Sequence, residues 1–358
     1  MTAVKKVFIA LSAVLVWTAI PAASANAVSV GQSCAKTTLG TRVSIRINRK
    51  PVIVVCRNVA GRKKWIRAAV QTITTSTTST TTTSTTTTVP EPVISYTDVV
   101  DPVDPTLHTI TIEGMQPRTY YLYAPTEVSA ESKLPLLLGF HGRTADGQFF
   151  RRQSLIDTYV PTENFIAIFV DGSVDQWSSW NAGNCCLTST QNNIDDVGLV
   201  STIIDQIIAT NNIDQTKIWA VGHSNGGMMA YRLGCDLSEK ITAIGIVGGA
   251  LMDQTCNPTK PVSIIHLHGN LDPTVPYEGG GKFETPSIAD SLLTLNKEFQ
   301  CTDSSSELQK PNDAFRKKYT CQRGAEVELA NYYEREHEWT LLSTKEILRF
   351  LFAHPRKA

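Results

Sequence analysis

Gly222-His223-Ser224-Asn225-Gly226 constrains the architecture of this chain more than any other stretch. It has the form G-x-S-x-G. The residues before it, Ile218-Trp219-Ala220-Val221, are apolar and partly β-branched, as a buried strand requires. Met228, Met229 and Leu233 after it suit a buried helix. A serine between such a strand and such a helix sits on a sharp elbow. Gly222 and Gly226 let neighbouring backbone come close, and Gly227 adds further room. The serine oxygen is then held above the sheet at a helix N-terminus, where free N–H groups favour a developing negative charge.

The residues around this elbow alternate strand and helix patterns. Strands are expected at Arg118–Ala124, Leu134–Phe140, Phe165–Val170, Lys217–Val221, Ile244–Gly248, Val262–His268 and Glu326–Tyr333. A helix is expected over about Asp195–Thr210, where Val200, Ile203, Ile204, Ile207 and Ile208 form one apolar stripe. Asp195 and Asp196 suit its positive end. Other helices follow Ser224, lie near Pro286–Phe299, and start at Ser343, where Ser343-Thr344-Lys345-Glu346 has the form of a capping box. Alternation of this kind implies an α/β fold with a mainly parallel sheet covered on both faces. There is no nucleotide-binding glycine pattern and no internal repeat, and nothing points to nucleic acid.

A serine hydroxyl needs a base within hydrogen-bond reach, and the base needs an orienting carboxylate. On a sheet of this type the chain order is Ser, acid, His. The strand ending at His268 leads into Gly269-Asn270-Leu271-Asp272-Pro273, which places Asp272 on the same rim as the elbow. Of the histidines after Asp272, His337 follows the last strand and His354 ends the last helix beside Pro355. His337 is therefore preferred as the base, and His354 reads as a helix-end cation. The oxyanion donors are expected to be the N–H of Asn225 and that of Arg143, with Gly142 as second choice. Arg143 follows the strand Leu136–Phe140 and its His141-Gly142 turn. His141 reads as a loop-bracing residue, His223 as a neighbour of the reacting groups, and His266 and His268 as strand residues.

Elsewhere the chain is modular. Lys5 and Lys6 precede an apolar run to about Ala23, followed by Ala23-Ser24-Ala25 and Ala25-Asn26-Ala27. That order is expected of a secretory leader over residues 1–27. Residues 71–92 are dominated by Thr and Ser and end in Val89-Pro90-Glu91-Pro92, the composition of an extended stalk. Between them, residues 28–70 carry ten Lys or Arg and no Asp or Glu, whereas residues 93–358 are net acidic. The small module has β-rich runs at Arg42–Ile47 and Val52–Val55, with Cys34 and Cys56 to staple them. It is read either as a docking module for anionic wall polymer or acidic glycan, or as a spacer with a solvated basic face.

Eight cysteines, Cys34, Cys56, Cys185, Cys186, Cys235, Cys256, Cys301 and Cys321, are an even set without a C-x-x-C pair. Disulfides in an oxidising, extracellular compartment are expected, and no zinc or other metal site.

Residues from about Arg118 onward resemble the secreted esterases grouped with polyhydroxybutyrate depolymerases, feruloyl esterases and acetylxylan esterases. The resemblance rests on Leu134-Pro135-Leu136 before His141-Gly142, on Trp180-Asn181-Ala182-Gly183-Asn184-Cys185-Cys186 and on Asp195-Asp196-Val197-Gly198. It also rests on the elbow with Gly227-Met228-Met229, on His268-Gly269-Asn270-Leu271-Asp272-Pro273 with Val275-Pro276-Tyr277, and on His337-Glu338-Trp339. It implies an α/β-hydrolase with the triad Ser224, Asp272 and His337 over residues 93–358. It implies that Cys185 and Cys186 pair with Cys235 and Cys256 in some order, and Cys301 with Cys321. It implies that Trp180 lies near the substrate cleft, although core packing is its other reading; with His223 it completes the substrate-binding set.

One departure stands out. Where the family has glycines before the histidine and Pro-Gly after the tryptophan, this chain has Glu334-Arg335-Glu336 and Thr340. Lost glycines limit the shapes open to that loop, and Glu336 and Glu338 bring negative charge beside His337. The expectation is thus a secreted, monomeric serine carboxylesterase without cofactor, acting on acylated polysaccharide, hydroxyalkanoate polyester or small esters. The alternative is a weak or inactive relative that binds wall material.

Overall fold

Leu134-Pro135-Leu136-Leu137-Leu138-Gly139-Phe140 is apolar throughout, so a strand made of it must be covered on both faces. In the computed structural model all seven residues are buried. The structure describes residues 42–47, 50–59 and 62–67, and residues 105–357 apart from 130, 174–177, 310–313 and 323. The leader at 1–27, Cys34 and the stalk at 71–92 lie outside the described residues, as does the side chain of Cys56.

The chain divides into two units, Met1–Thr87 and Thr88–Ala358. In the first, the described residues form an antiparallel sheet of β1 (Arg42–Ile47), β2 (Lys50–Val59) and β3 (Arg62–Arg67), in that order. The second expected run is longer than the residues Val52–Val55 suggest. The basic third strand lacks the apolar run by which a strand is recognised.

The second unit is built on a sheet in which ten strands are described. They are β4 (Thr106–Ile110), β5 (Arg118–Tyr123), β6 (Leu134–Phe140), β7 (Ile166–Val170), β8 (Ile213–His223), β9 (Ala243–Val247), β10 (Ser263–Gly269), β11 (Cys301–Gln309), β12 (Ala314–Cys321) and β13 (Glu326–Tyr332). Their order is β11-β12-β13-β10-β9-β8-β6-β7-β5-β4. The six inner strands from β13 to β7 are mutually parallel, and the flanking strands at both edges are antiparallel. The chain passes from β6 to its neighbour β7 on one side and returns from β7 to β8 on the other side of β6, and this change of direction opens a crevice at the strands' C-terminal ends.

The described helices are α1 (Gly147–Ser154), α2 (Val160–Glu163), α3 (Leu187–Gln191), α4 (Asp196–Thr210), α5 (Asn225–Asp236), α6 (Ile288–Glu298) and α7 (Leu341–Ala353). Period-2 alternation splits the core. Leu136, Leu138 and Phe140 of β6 pack with α4, α5 and α6 on one face. Leu137 packs with Phe150 of α1 and with Ile347, Leu348 and Leu351 of α7 on the other. No described helix is long and apolar enough to cross a membrane.

Two boundaries differ from expectation for physical reasons. Helix α7 begins one turn before the expected box, because Thr340 caps the Ser343 N–H and Ser343 Oγ returns the bond to the Thr340 N–H. Glu346, freed from capping, accepts from Arg316 Nη2 at 2.6 Å. Strands β11 and β12 are polar and gave no apolar run; they form because β13 offers β12 a paired edge and Cys301 faces Cys321 across the hairpin.

Candidate functional site

Ser224 lies between the end of β8 and the start of α5, at φ 56° and ψ −124°. A non-glycine residue there carries backbone strain of about 1–3 kcal/mol. The surroundings tolerate no extra atoms. A Cβ on Gly222 would run into the carbonyl of Gly226, and one on Gly226 into the carbonyl of Phe140. The strain is held in place by the bond from the Ser224 N–H to Val247 O at 2.9 Å, and by α5, whose Met228 N–H returns to Ser224 O.

The loop after β10 supplies the acid. Asp272 Oδ1 accepts the N–H groups of Thr274 and Val275, both at 2.8 Å. Its Oδ2 faces His337 Nδ1 at 2.7 Å. Burial would raise the pKa of Asp272. Hydrogen bonds from His268, His337 and the Val275 N–H outweigh it and hold the carboxyl well below the usual carboxylate range. His337 follows β13 and keeps part of its ring exposed in a cleft of about 280 Å³ that Ser224 also lines. Thus Ser224, Asp272 and His337 come from three strand ends to one rim. His354 is far from this role: it closes α7, with Nδ1 bonded to Phe350 O at 2.7 Å and Nε2 3.1 Å from Glu326.

The altered histidine loop is tied down by its neighbours. Asn270 N–H donates to Tyr332 O and Leu271 N–H to Arg335 O, both at 2.9 Å. The loop still uses one left-handed residue, Glu334 at φ 57°, where a glycine would be unstrained. Glu336 and Glu338 point to solvent, and Glu338 meets Arg335 at 3.4 Å.

Residues 176–328 match the family model described as Phospholipase/Carboxylesterase. Over 182 residues the chain is 30% identical to a bifunctional acetylxylan esterase/xylanase of Neocallimastix patriciarum, covering 49% of this chain and 25% of that one. Over 162 residues it is 27% identical to feruloyl esterase B of Piromyces equi, covering 44% of this chain and 29% of that one. The chain therefore spans well under half the length of these two relatives. An acetyl xylan esterase structure from Aspergillus awamori aligns with TM-score 0.52 at 15% identity, over 69% of this chain and 99% of that one. The second unit has the α/β-hydrolase fold.

In this fold the loop after β6 is built around His141. Its Nε2 accepts the Gly172 N–H at 2.9 Å, so the proton sits on Nδ1 and is donated to Gly142 O at 2.7 Å. Burial lowers its pKa and keeps the ring neutral. The Gly142 carbonyl also accepts from Ala145. Peptide units are planar and trans, so the Arg143 N–H faces the opposite way from that carbonyl. Gly142 itself abuts Ser224, whose Cβ would lie 3.4 Å from a Cβ added there.

Two expectations about the second unit are corrected. Trp180 does not reach the cleft. Its ring is fully buried edge-on against Phe140, and its Nε1 donates to His141 O at 2.9 Å. Its backbone N–H and C=O are held by the Asn225 side-chain amide. Trp180 and Asn225 thus join the loop after β6 to the elbow.

The second correction concerns the cysteines. Cys235 pairs with Cys256, with Cα atoms 5.3 Å apart, and Cys185 pairs with Cys186. Cys235 lies in the last turn of α5, and the loop after β9 carries Cys256 to it. Closing a loop of this length restricts the unfolded chain by about 3 kcal/mol. Cys301 pairs with Cys321.

His223 does line the cleft, 4.7 Å between ring centres from His337, and burial followed by the nearby His337 charge pushes its pKa down to about 3. Phe149 and Phe283, not singled out in the sequence, form the apolar wall of the cleft together with Met228, which the sequence assigns only to a buried helix. Arg143 lies 5.4 Å over the Phe283 ring. Phe149, Met228 and Phe283 come from α1, α5 and the loop before α6, which meet only in the folded chain. Among the described residues there is no group of His, Cys, Asp or Glu that could hold a metal ion.

Proposed function

We propose that the protein is an exported serine carboxylesterase of the α/β-hydrolase fold. The observation that carries this reading is the 2.7 Å bond between His337 Nδ1 and Asp272 Oδ2 in a cleft shared with the strained Ser224. Asp272 keeps the proton on Nδ1, so Nε2 is free to take the serine proton. Ser224 Oγ attacks the ester carbonyl. The N–H groups of Asn225 and Arg143 hold the tetrahedral oxyanion. His337 then protonates the leaving alcohol, and water, activated by the same ring, releases the acid from the acyl-enzyme. No cofactor takes part.

The substrates are esters of acetylated or feruloylated polysaccharide, in keeping with what the named relatives act on, with hydroxyalkanoate oligoesters as the second class. The apolar wall of Phe149, Phe283 and Met228 suits the acyl group. Residues 1–27 serve export, and residues 28–70 dock the catalytic unit to anionic wall or glycan material through a stalk at 71–92. The enzyme works as a monomer.

Ser224→Ala tests the reading. Turnover of a chromogenic short-chain ester should fall by roughly a million-fold, with folding unchanged. Turnover near the wild-type rate would overturn it. A panel of feruloyl, acetyl and 3-hydroxybutyryl esters then ranks the substrate classes.

A further inference from the structure

His266 and His268 lie two residues apart on β10, so both rings leave the same face. They are buried, within 3° of parallel and 5.2 Å apart between centres. Three contacts run through them. Tyr231 Oη is 2.7 Å from His266 Nδ1, His266 Nε2 is 2.9 Å from His268 Nδ1, and His268 Nε2 is 2.8 Å from Val275 O. His268 Nε2 also lies 3.4 Å from Asp272 Oδ2.

A carbonyl oxygen only accepts, so His268 holds a proton on Nε2. In a neutral His268 the other nitrogen is an acceptor and takes the Nε2–H of His266. His266 Nδ1 is then an acceptor too, and takes the Tyr231 hydroxyl proton. With both rings neutral, this arrangement alone satisfies all three contacts. Complete burial supports it, holding His266 well below the usual imidazole range and pushing the Tyr231 phenol up. The reverse polarity would require His268 to be a cation.

We infer that Tyr231, His266 and His268 form a one-way hydrogen-bond relay that positions Asp272, with His268 as the positioning residue at its end. The inference rests on reading Asp272 as the acid of the triad. The donors run in one direction and end at His268 Nε2, 3.4 Å from Asp272 Oδ2, so the dipoles of the relay favour the ionised carboxylate against the cost of burial. The relay also acts through the backbone. Val275 gives its N–H to Asp272 Oδ1 and its C=O to His268, so the turn gripping the carboxylate is held from both ends.

Nitrogen-15 NMR of the full chain at pH 7 reads the relay directly and does not depend on turnover. Both rings should be neutral with the proton on Nε2. A cationic His268, or a proton on Nδ1 of His266, would overturn the relay even if the protein is an active esterase. Absence of ester turnover in the wild type would count against the esterase reading and leave this measurement intact.

Kinetics supply the second arm. His268→Gln keeps an N–H near the Nε2 position, whereas His268→Asn cannot reach Val275. The Asn variant should lose about 10- to 100-fold in kcat with KM within about twofold, and the Gln variant should recover most of that loss. Equal losses in both, or a change confined to KM, would refute positioning. If the Asn variant does not fold, Tyr231→Phe carries the test by deleting one hydroxyl. It should lower kcat about three- to tenfold and mix the His266 tautomers. Unchanged kcat with an unchanged tautomer would refute the relay.

Discussion

Asp272→Asn changes one atom, and the structure says which way the new amide must turn. Oδ1 accepts two backbone N–H groups, from Thr274 and Val275, both at 2.8 Å. Placing an NH₂ there would set donor against donor twice and leave both N–H groups without an acceptor. Each such loss in a buried turn costs about 1–3 kcal/mol. The amide oxygen therefore stays at δ1 and the NH₂ faces His337 Nδ1, which now sits 2.7 Å from a carboxylate oxygen. A donor at that place needs a lone pair opposite it. His337 answers by moving its proton to Nε2, and an Nε2–H cannot accept the proton of Ser224. The ring stays in place but presents the wrong nitrogen. The expected loss in kcat is about 10⁴-fold, the scale this exchange has in serine hydrolase triads, or about 5 kcal/mol in activation free energy. KM should hardly change, because no substrate-binding surface is altered. The assay is steady-state hydrolysis of a chromogenic short-chain ester, with thermal unfolding as the check on folding. Retention of a tenth or more of wild-type kcat by a folded variant would refute the tautomer argument.

Glu334→Gly should raise stability by about 1 kcal/mol, since it removes the cost of a left-handed non-glycine residue, and denaturant titration would show no gain if the loop is unstrained. His354→Ala should leave turnover unchanged. Glu326 is pushed down to about 2, chiefly by its bond from His354 and also by Lys318, so its contribution is complete above the usual glutamate pKa and is lost as pH falls toward about 2. Removing His354 should bring the onset of acid unfolding to higher pH, and an unmoved onset would count against this pairing. A chain starting at Val93 should keep its rate on small soluble esters but lose salt-sensitive binding to anionic polysaccharide. On the reading of residues 71–92 as a flexible tether, a chain of about 20 residues would average roughly 25 Å, beyond the ~8 Å reach of exposed charges at physiological salt. A large fall in small-ester turnover would contradict a free tether.

The parallel centre of the sheet was legible because β6, β7 and β9 are buried on both faces, which favours unbroken apolar runs; β10 is as deeply buried but carries two histidines among its apolar residues. The elbow was legible because only glycine fits at Gly222 and Gly226. Asp272 and His337 followed from the rim on which their loops open. What escaped depends on pairing across space. Strands β11 and β12 are polar, and an edge strand with one open face needs no apolar signature. Helix α1 is mostly polar; it is anchored by Phe150, which meets Trp339 edge-on with ring centres 4.9 Å apart. Trp180 belongs to a stretch that the resemblance places at the cleft, but its ring turns inward to His141. His266 and His268 read as ordinary strand residues, and only their two-residue spacing beside the Asp272 loop hinted that their rings would stack.

Strand β13 comes last along the chain among the described strands of the sheet, yet it lies between β10 and β12. Before it is made, β10 presents an open row of unpaired backbone groups, the kind of edge on which chains aggregate. The β11–β12 hairpin meanwhile has nothing to dock on. A growing polypeptide therefore carries an incomplete, adhesive sheet until β13 has been made. On the triad reading the base arrives with the loop that directly follows β13. Sealing the sheet and acquiring hydrolytic capacity are then a single event, and a chain cut short before that point would hold a serine poised on its elbow with nothing to draw off its proton.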